Sequence, residues 1–150
     1  MEIVYIIIMT TPIAKFRVKI NKLIKDLRDH CNYEQLKELE KVKITVDIGM
    51  TANPEGSISL FMTYIEPYAD QILTEDENFF LTGELKYDEH CDPMLISKLR
   101  SWWPSLPEDC RDNIKKSIKL LLMLGTLATE NQKLLNIINS YRDVDNPLSF

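Results

Sequence analysis

The chain contains little glycine, cysteine or histidine. With only four glycines in 150 residues, it contains neither a glycine-rich phosphate loop nor a dinucleotide-binding fingerprint. So few glycines also argue against a β-sandwich or barrel with many tight turns. The three cysteines, Cys31, Cys91 and Cys110, show no disulfide or metal-site spacing. We therefore expect reduced thiols, as in a cytosolic or nuclear compartment.

Each of the two histidines directly precedes a cysteine, as His30-Cys31 and His90-Cys91. Adjacent residues rarely bind one metal ion, and the short gap that usually separates the ligands of a zinc site is missing. A cysteine nucleophile would need a histidine and an orienting third group, and no spacing in the sequence indicates such a group. We therefore expect no metal, no cofactor and no catalytic residues, and we interpret the chain as not an enzyme.

Acidic residues outnumber basic ones. The chain has 23 Asp and Glu against 18 Lys and Arg, and a net charge of −5, which argues against general affinity for nucleic acid. The apolar share of 45% is typical of a globular protein with a single core. Two acidic clusters, Glu75–Glu77 and Asp88–Asp92, lack the spacing of a calcium-binding loop. We interpret them as solvated loops, with a cation site as the alternative.

The segment Met1–Met9 contains the apolar run Ile3–Met9. Glu2 occupies the place of the basic residue of a secretory signal, and no small-residue cleavage site follows. The run is also shorter than the roughly 20 apolar residues that span a bilayer. Three interpretations stay open: a buried strand or extended arm, a segment upstream of a translation start at Met9, or an arm that contacts a membrane.

The apolar periodicity predicts an all-α fold. We expect a bundle of about five or six helices around a central apolar helix, in one domain spanning 1–150, with an N-terminal arm (1–11) and a C-terminal tail (143–150). Thr11-Pro12 is a helix start, and the following apolar face recurs at intervals of three and four residues: Ile13, Phe16, Ile20, Leu23, Ile24 and Leu27. A second helix should begin near Tyr33.

The second helix has an ambiguous end. Val42–Ile48 alternates with period two, which is typical of a strand, but the strong helix formers before it favour a helix to about Gly49. Asn53-Pro54 then predicts a third helix, which Pro67 should kink or split. Beyond it we expect a loop over Leu73–Leu85, with Phe79 or Phe80 inserted between helices.

The stretch Ser101–Ala128 is predicted to be the central element. A helix starting at Asp92-Pro93 should end at Pro104, and Ser105 and Glu108 fit a capping box for the next helix. Leu120–Ala128 is almost entirely apolar, as in a helix buried on all sides. Gly125 should allow close approach of a neighbouring helix. We expect helicity to continue to about Arg142.

Three groups of residues are candidates for partner binding. The first helix carries the only strongly basic face of the chain. This face is either an ordinary solvated helix face or a docking surface for an acidic partner, a phosphate or a lipid headgroup. The apolar arm and the first acidic cluster are the other two groups. The candidate residues are Ile6, Ile7, Lys15, Lys19, Lys22, Lys25, Glu75, Asp76 and Glu77.

The order and spacing of several short motifs carry a family resemblance over most of the chain. These motifs are Leu23-Ile24-Lys25-Asp26-Leu27, Asn53-Pro54, Phe61, Tyr64-Ile65-Glu66-Pro67-Tyr68, Ile72, Asp76-Glu77-Asn78-Phe79-Phe80-Leu81, Leu99, Trp103 and Leu106. In this respect the chain resembles an uncharacterised family of small all-helical proteins from nucleocytoplasmic large DNA viruses, the giant viruses. Two departures are the β-like Val42–Ile48 segment and a leucine-rich last helix where the family has an aromatic residue.

The resemblance implies a helical viral protein without known catalytic residues. By analogy, we expect a structural or interaction protein of the virion, such as a minor capsid protein that contacts major and minor capsid proteins. It would reside in the virion, and in the host cytoplasm or nucleus during assembly. An internal viral membrane is a further candidate contact. The alternatives are a regulator that binds a host protein through a helical surface, and a nucleic-acid accessory protein that uses the basic first helix.

Overall fold

In a computed structural model, residues 11–81 and 94–141 are described, and within these ranges every regular element is a helix. Six of the α-helices have nine residues or more, which confirms the predicted all-α bundle. The α-helices are α1 (Pro12–Arg28), α2 (Tyr33–Ala52), α3 (Pro54–Ile65), α4 (Ala69–Leu73), α5 (Asn78–Leu81), α6 (Met94–Trp102), α7 (Glu108–Ala128) and α8 (Gln132–Tyr141). Two 3₁₀ turns, Glu66–Tyr68 and Trp103–Ser105, follow α3 and α6.

Helices α1 and α2 form an antiparallel pair. The Thr11 hydroxyl caps α1 by accepting from the backbone N–H of Ala14, and Asn32 begins α2 with a reciprocal capping box. The predicted apolar face of α1 is buried, apart from a half-buried Ile13 at its start. The strand-like Val42–Ile48 segment lies inside α2, so the prediction of a helix there is confirmed.

Asn53 separates α2 from α3 and serves both helices. Its backbone N–H donates to the Gly49 carbonyl at the end of α2, and its side chain accepts from the Gly56 N–H at the start of α3. The predicted interruption at Pro67 is also confirmed, since α3 ends at Ile65 and a 3₁₀ turn leads into α4. Proline cannot donate a backbone hydrogen bond, so the helix changes type where Pro67 stands.

Phe79 confirms the prediction of an aromatic residue inserted between helices. It is 2% exposed, and its ring centroid lies 5.2 Å from that of Tyr68.

The predicted capping box of α7 is wrong. The 3₁₀ turn at Pro104 prolongs the preceding helix, and the Ser105 hydroxyl donates to the Trp102 carbonyl, while Pro107 precedes α7 without a side-chain cap.

Helix α7 is the centre of the bundle, as predicted. Its most extensive contacts are with α1, and it also packs against α3, α4 and α8. Gly125 permits a close approach to α3, because a Cβ atom at this position would lie 2.3 Å from the Met62 sulfur. The end of α7 is not buried on all sides, however, since Leu127 is 50% exposed.

The continuous helix expected to reach Arg142 is instead divided between α7 and α8. Glu130 adopts a left-handed φ of 53°, and the Asn131 N–H donates to the Thr126 carbonyl, which closes α7 with a Schellman-type turn. The Asn131 side chain then caps α8 by accepting from the Leu134 N–H. The Tyr141 hydroxyl lies 2.6 Å from an Asp70 carboxylate oxygen and joins α8 to α4.

Several predictions lie outside the described residues. They concern most of the N-terminal arm, including Ile6 and Ile7, the helix start at Asp92-Pro93 and the tail 143–150. The acidic cluster Asp88–Asp92 also lies outside these ranges, as do His90 and Cys91.

Candidate partner-binding surfaces

An apolar groove lies between α1, α2, α3 and α6. Its volume is about 290 Å³, and no charged side chain of the described residues lines it. Gly49 lines the groove where α2 and α3 approach closely, because a Cβ atom at this position would lie 2.7 Å from the Ser57 hydroxyl oxygen. The lining residues are Phe16, Ile20, Val42, Thr45, Val46, Gly49, Met50, Ser57, Leu60, Phe61, Tyr64, Leu95 and Ile96. Such a groove fits an apolar segment better than a charged ligand.

The predicted basic residues of α1 lie at its surface. Lys15, Lys22 and Lys25 are exposed, and Lys19 is half-buried. Lys22 pairs with Asp26 at 2.9 Å, and none of the other three lies within 4 Å of a carboxylate among the described residues. The positive charge of this helix face is therefore only partly neutralised.

Asp26 connects the basic face to the central helix. Its carboxylate accepts from the Lys22 ammonium at 2.9 Å and from the Asn113 amide of α7 at 3.3 Å. The hydrogen bond from Lys22 is the main cause that lowers the Asp26 pKa, opposed by partial burial and assisted by Asn113. The Lys22–Asp26 pair is therefore anchored to α7.

Two side-chain contacts join α2 to α1. Arg17 in the first half of α1 donates to the Thr51 hydroxyl near the end of α2 at 3.0 Å. Arg28 at the end of α1 pairs with Glu40 in the first half of α2 at 2.7 Å. On the solvent side of α2, Ile44 and Ile48 are 55% and 63% exposed. We define the α1–α2 outer face by Lys15, Val18, Lys22, Lys25, Lys41, Ile44 and Ile48, all of which are exposed.

The predicted acidic cluster has internal partners. The Glu77 carboxylate accepts from the Trp103 indole at 2.9 Å and from Arg111 at 3.2 Å, so the residue before α5 is joined to the 3₁₀ turn after α6 and to the start of α7. Glu75 lies 3.7 Å from the Lys119 ammonium, and Asp76 accepts from a backbone N–H of α5. All three carboxylates are half-buried. Glu75, Asp76 and Glu77 therefore each have a contact within the chain, and none of them belongs to the α1–α2 outer face.

The described residues contain no group of three or more histidine, cysteine or acidic side chains placed to hold a metal ion. Burial raises the pKa of the Cys31 and Cys110 thiols, which favours their protonated, less nucleophilic form. No helix within the described ranges is long and apolar enough to cross a bilayer.

Two features of these surfaces were not predicted from the sequence. The apolar groove depends on the packing of four helices, which no local pattern reports. The exposure of the α2 isoleucines could have been predicted from the sequence, since the period-two pattern of Val42–Ile48 distributes apolar residues over two sides of a helix.

No family model, curated protein or solved structure matches the chain.

Proposed function

We propose that the protein is a non-enzymatic interaction protein that binds an acidic protein partner through the α1–α2 outer face. The observation that carries this proposal is the position of exposed apolar side chains among lysines. Val18 is 54% exposed and stands between Lys15 and Lys22 on α1, while Ile44 and Ile48 follow Lys41 on α2.

The surface fits an amphipathic segment with apolar residues flanked by carboxylates. Full burial of one valine or isoleucine side chain favours association by about 1.5–3 kcal/mol before the cost of ordering. The lysines add charge complementarity, which mainly raises the association rate and rejects basic partners. A helical segment lying along the two helices would bring both kinds of contact together.

The most concrete form of the proposal is a virion component, such as a minor capsid protein. Its support is the resemblance to a giant-virus family, in motifs such as Tyr64-Ile65-Glu66-Pro67-Tyr68, and it remains an argument by analogy. The acidic partner would then be a neighbouring capsid protein. Purified particles should contain the protein in a fixed ratio to the major capsid protein, and its absence from them would refute the virion role.

The outer face can be tested with charge-reversed variants. Lys15→Glu combined with Lys25→Glu reverses two of its charges, and Lys116→Glu combined with Lys133→Glu makes the same change on α7 and α8. All four lysines are exposed and lie beyond 4 Å of any carboxylate among the described residues. We expect the first pair to lower incorporation into particles, or affinity for the isolated partner, by about tenfold or more, and the second pair to have little effect.

Equal losses in both variants would show that net charge matters and the outer face does not. Nucleic-acid binding is a separate outcome, measured by the anisotropy of a labelled duplex over a range of salt concentrations. A steep salt dependence that disappears when Lys15, Lys19 and Lys22 are reversed would replace the protein-binding proposal with a nucleic-acid accessory role. A single host-cell partner, with no incorporation into particles, would instead indicate a regulator.

A further inference from the structure

The apolar groove has no occupant among the described residues. Leu60 is 47% exposed at its rim, and Val46 and Phe61 are half-buried inside it. The groove has a volume of about 290 Å³ and is lined by apolar side chains. Binding of an apolar segment that displaces water from these side chains is therefore favourable.

We propose that the groove binds the chain's own N-terminal segment Ile3–Ile8. This segment reads Ile-Val-Tyr-Ile-Ile-Ile and carries no charged side chain, which matches a groove without charged lining residues. Burial of three or four such side chains favours binding by about 5–12 kcal/mol, which is of the same order as the backbone cost of ordering six residues. The proposal is independent of the outer face, which lies on the solvent side of the same two helices.

The position of the groove agrees with the reach of this segment. The segment joins α1 at Thr11, and the groove is lined by Phe16 and Ile20, which lie about 7 and 13 Å from Thr11 along the helix axis. An extended chain advances about 3.3 Å per residue, so Ile8 and Ile6 can lie about 10 and 17 Å from Thr11. A segment that turns back along α1 therefore places its isoleucines beside the groove.

The other segments outside the described ranges fit less well. Residues 82–93 include Glu84, Lys86, Asp88, Glu89 and Asp92, whose charges have no counterpart in the groove. Residues 142–150 follow α8, whose last residue, Tyr141, contacts Asp70 of α4, and no residue of α4 or α8 lines the groove.

Binding within one chain is favoured over exchange between two chains. Only Met9 and Thr10 separate the segment from the fixed position of Thr11. Such a short connection gives an effective concentration in the millimolar range, well above ordinary protein concentrations.

The test uses a thiol reporter at the groove rim. In a full-length chain with Cys31, Cys91 and Cys110 replaced by alanine, Leu60→Cys reports on the groove. Leu127→Cys is the matched control, because Leu127 is 50% exposed and does not line the groove. Each reporter is combined with Ile6→Asp and Ile7→Asp, and the rate of labelling by a maleimide is measured. Far-UV circular dichroism confirms that every variant is helical.

We expect the two aspartates to raise the labelling rate of Leu60→Cys by at least about tenfold, since burial of even one isoleucine favours the bound segment by that factor. The rate at Leu127→Cys should not change. Equal rates at Leu60→Cys with and without the aspartates would overturn the proposal. Protection that increases with protein concentration would also overturn it, because the occupant would then be the segment of a second copy.

If the cysteine replacements prevent folding, a second experiment decides. A lysine-tagged peptide of residues 1–10 is titrated into an otherwise native chain that begins at Thr10. Saturable binding that the variant Leu60→Lys abolishes supports the proposal, and an absence of binding refutes it.

Discussion

Gly125 provides a sharp test of how closely the central helix packs. This glycine lies in the last turns of α7 and faces Met62 of α3. A Cβ atom added at Gly125 would lie 2.3 Å from the Met62 sulfur and 2.9 Å from its Cγ atom. Met62 is 3% exposed, so its side chain cannot simply swing into solvent.

Two effects of opposite sign determine the stability of Gly125→Ala. Alanine is the better helix former by about 1 kcal/mol, which stabilises α7. Overpacking of a filled core costs about 1–3 kcal/mol, and methionine is the side chain best able to reduce that cost by changing rotamer. We expect a net loss of about 0–2 kcal/mol in the free energy of unfolding, which is the balance of these two effects.

A second substitution separates the two effects. Met62→Ala should cost about 2–5 kcal/mol by itself, because it leaves a cavity in the core. In that background the clash at Gly125 is gone, and the added methyl group partly fills the cavity. Gly125→Ala should then stabilise the protein by about 1 kcal/mol or more, so its effect changes sign between the two backgrounds.

Urea unfolding followed by tryptophan fluorescence measures all four proteins of this cycle. Trp102 and Trp103 are both buried, so their emission should shift when the core opens. Equal effects of Gly125→Ala in both backgrounds would refute the close contact between α3 and α7. Stabilisation of the native sequence by a full 1 kcal/mol would refute it as well.

Two further predictions concern polar contacts of the bundle. Trp103→Phe removes the indole donor to Glu77 and should lower the free energy of unfolding by about 1–3 kcal/mol. Glu77→Gln keeps an acceptor for the indole and should lower the free energy of unfolding by less than about 1 kcal/mol. A larger loss of stability in Glu77→Gln than in Trp103→Phe would contradict this order. The folded-state pKa of Asp26 is lowered, so its contribution to stability is present above the ordinary value of 3.8 and is lost as the pH falls below it. Asp26→Asn should therefore flatten the acid side of the curve of urea midpoint against pH, and an unchanged slope would contradict the Lys22–Asp26 contact.

Strong local signals predicted most of the helices. Thr11-Pro12 and Asn53-Pro54 combine a side-chain cap with a proline in the first turn, and both begin helices in the structure. Pro67 interrupts α3 for an equally local reason. These positions were predictable because the backbone chemistry of a few neighbouring residues decides them.

The break between α7 and α8 has a weaker signal. Helices usually end with glycine in the left-handed region, but here Glu130 takes that conformation at some cost in backbone energy. The sequence offers only Asn131 as a cap for the following helix. A similar turn ends α4, where Glu75 has a φ of 54°. In both places tertiary packing, and not the preference of the residue, determines where the chain turns.

The candidate surfaces were predictable only in part, and α2 shows why. A step of two residues rotates a helix by about 200°, so an alternating apolar pattern separates into two opposite sides. Val42 and Val46 therefore pack inward, while Ile44 and Ile48 are more than half exposed. A fully amphipathic helix would have polar residues at the latter two positions. The core does not need these two isoleucines, so their exposure on the solvent side of α2 is an observation that supports the proposed partner-binding face.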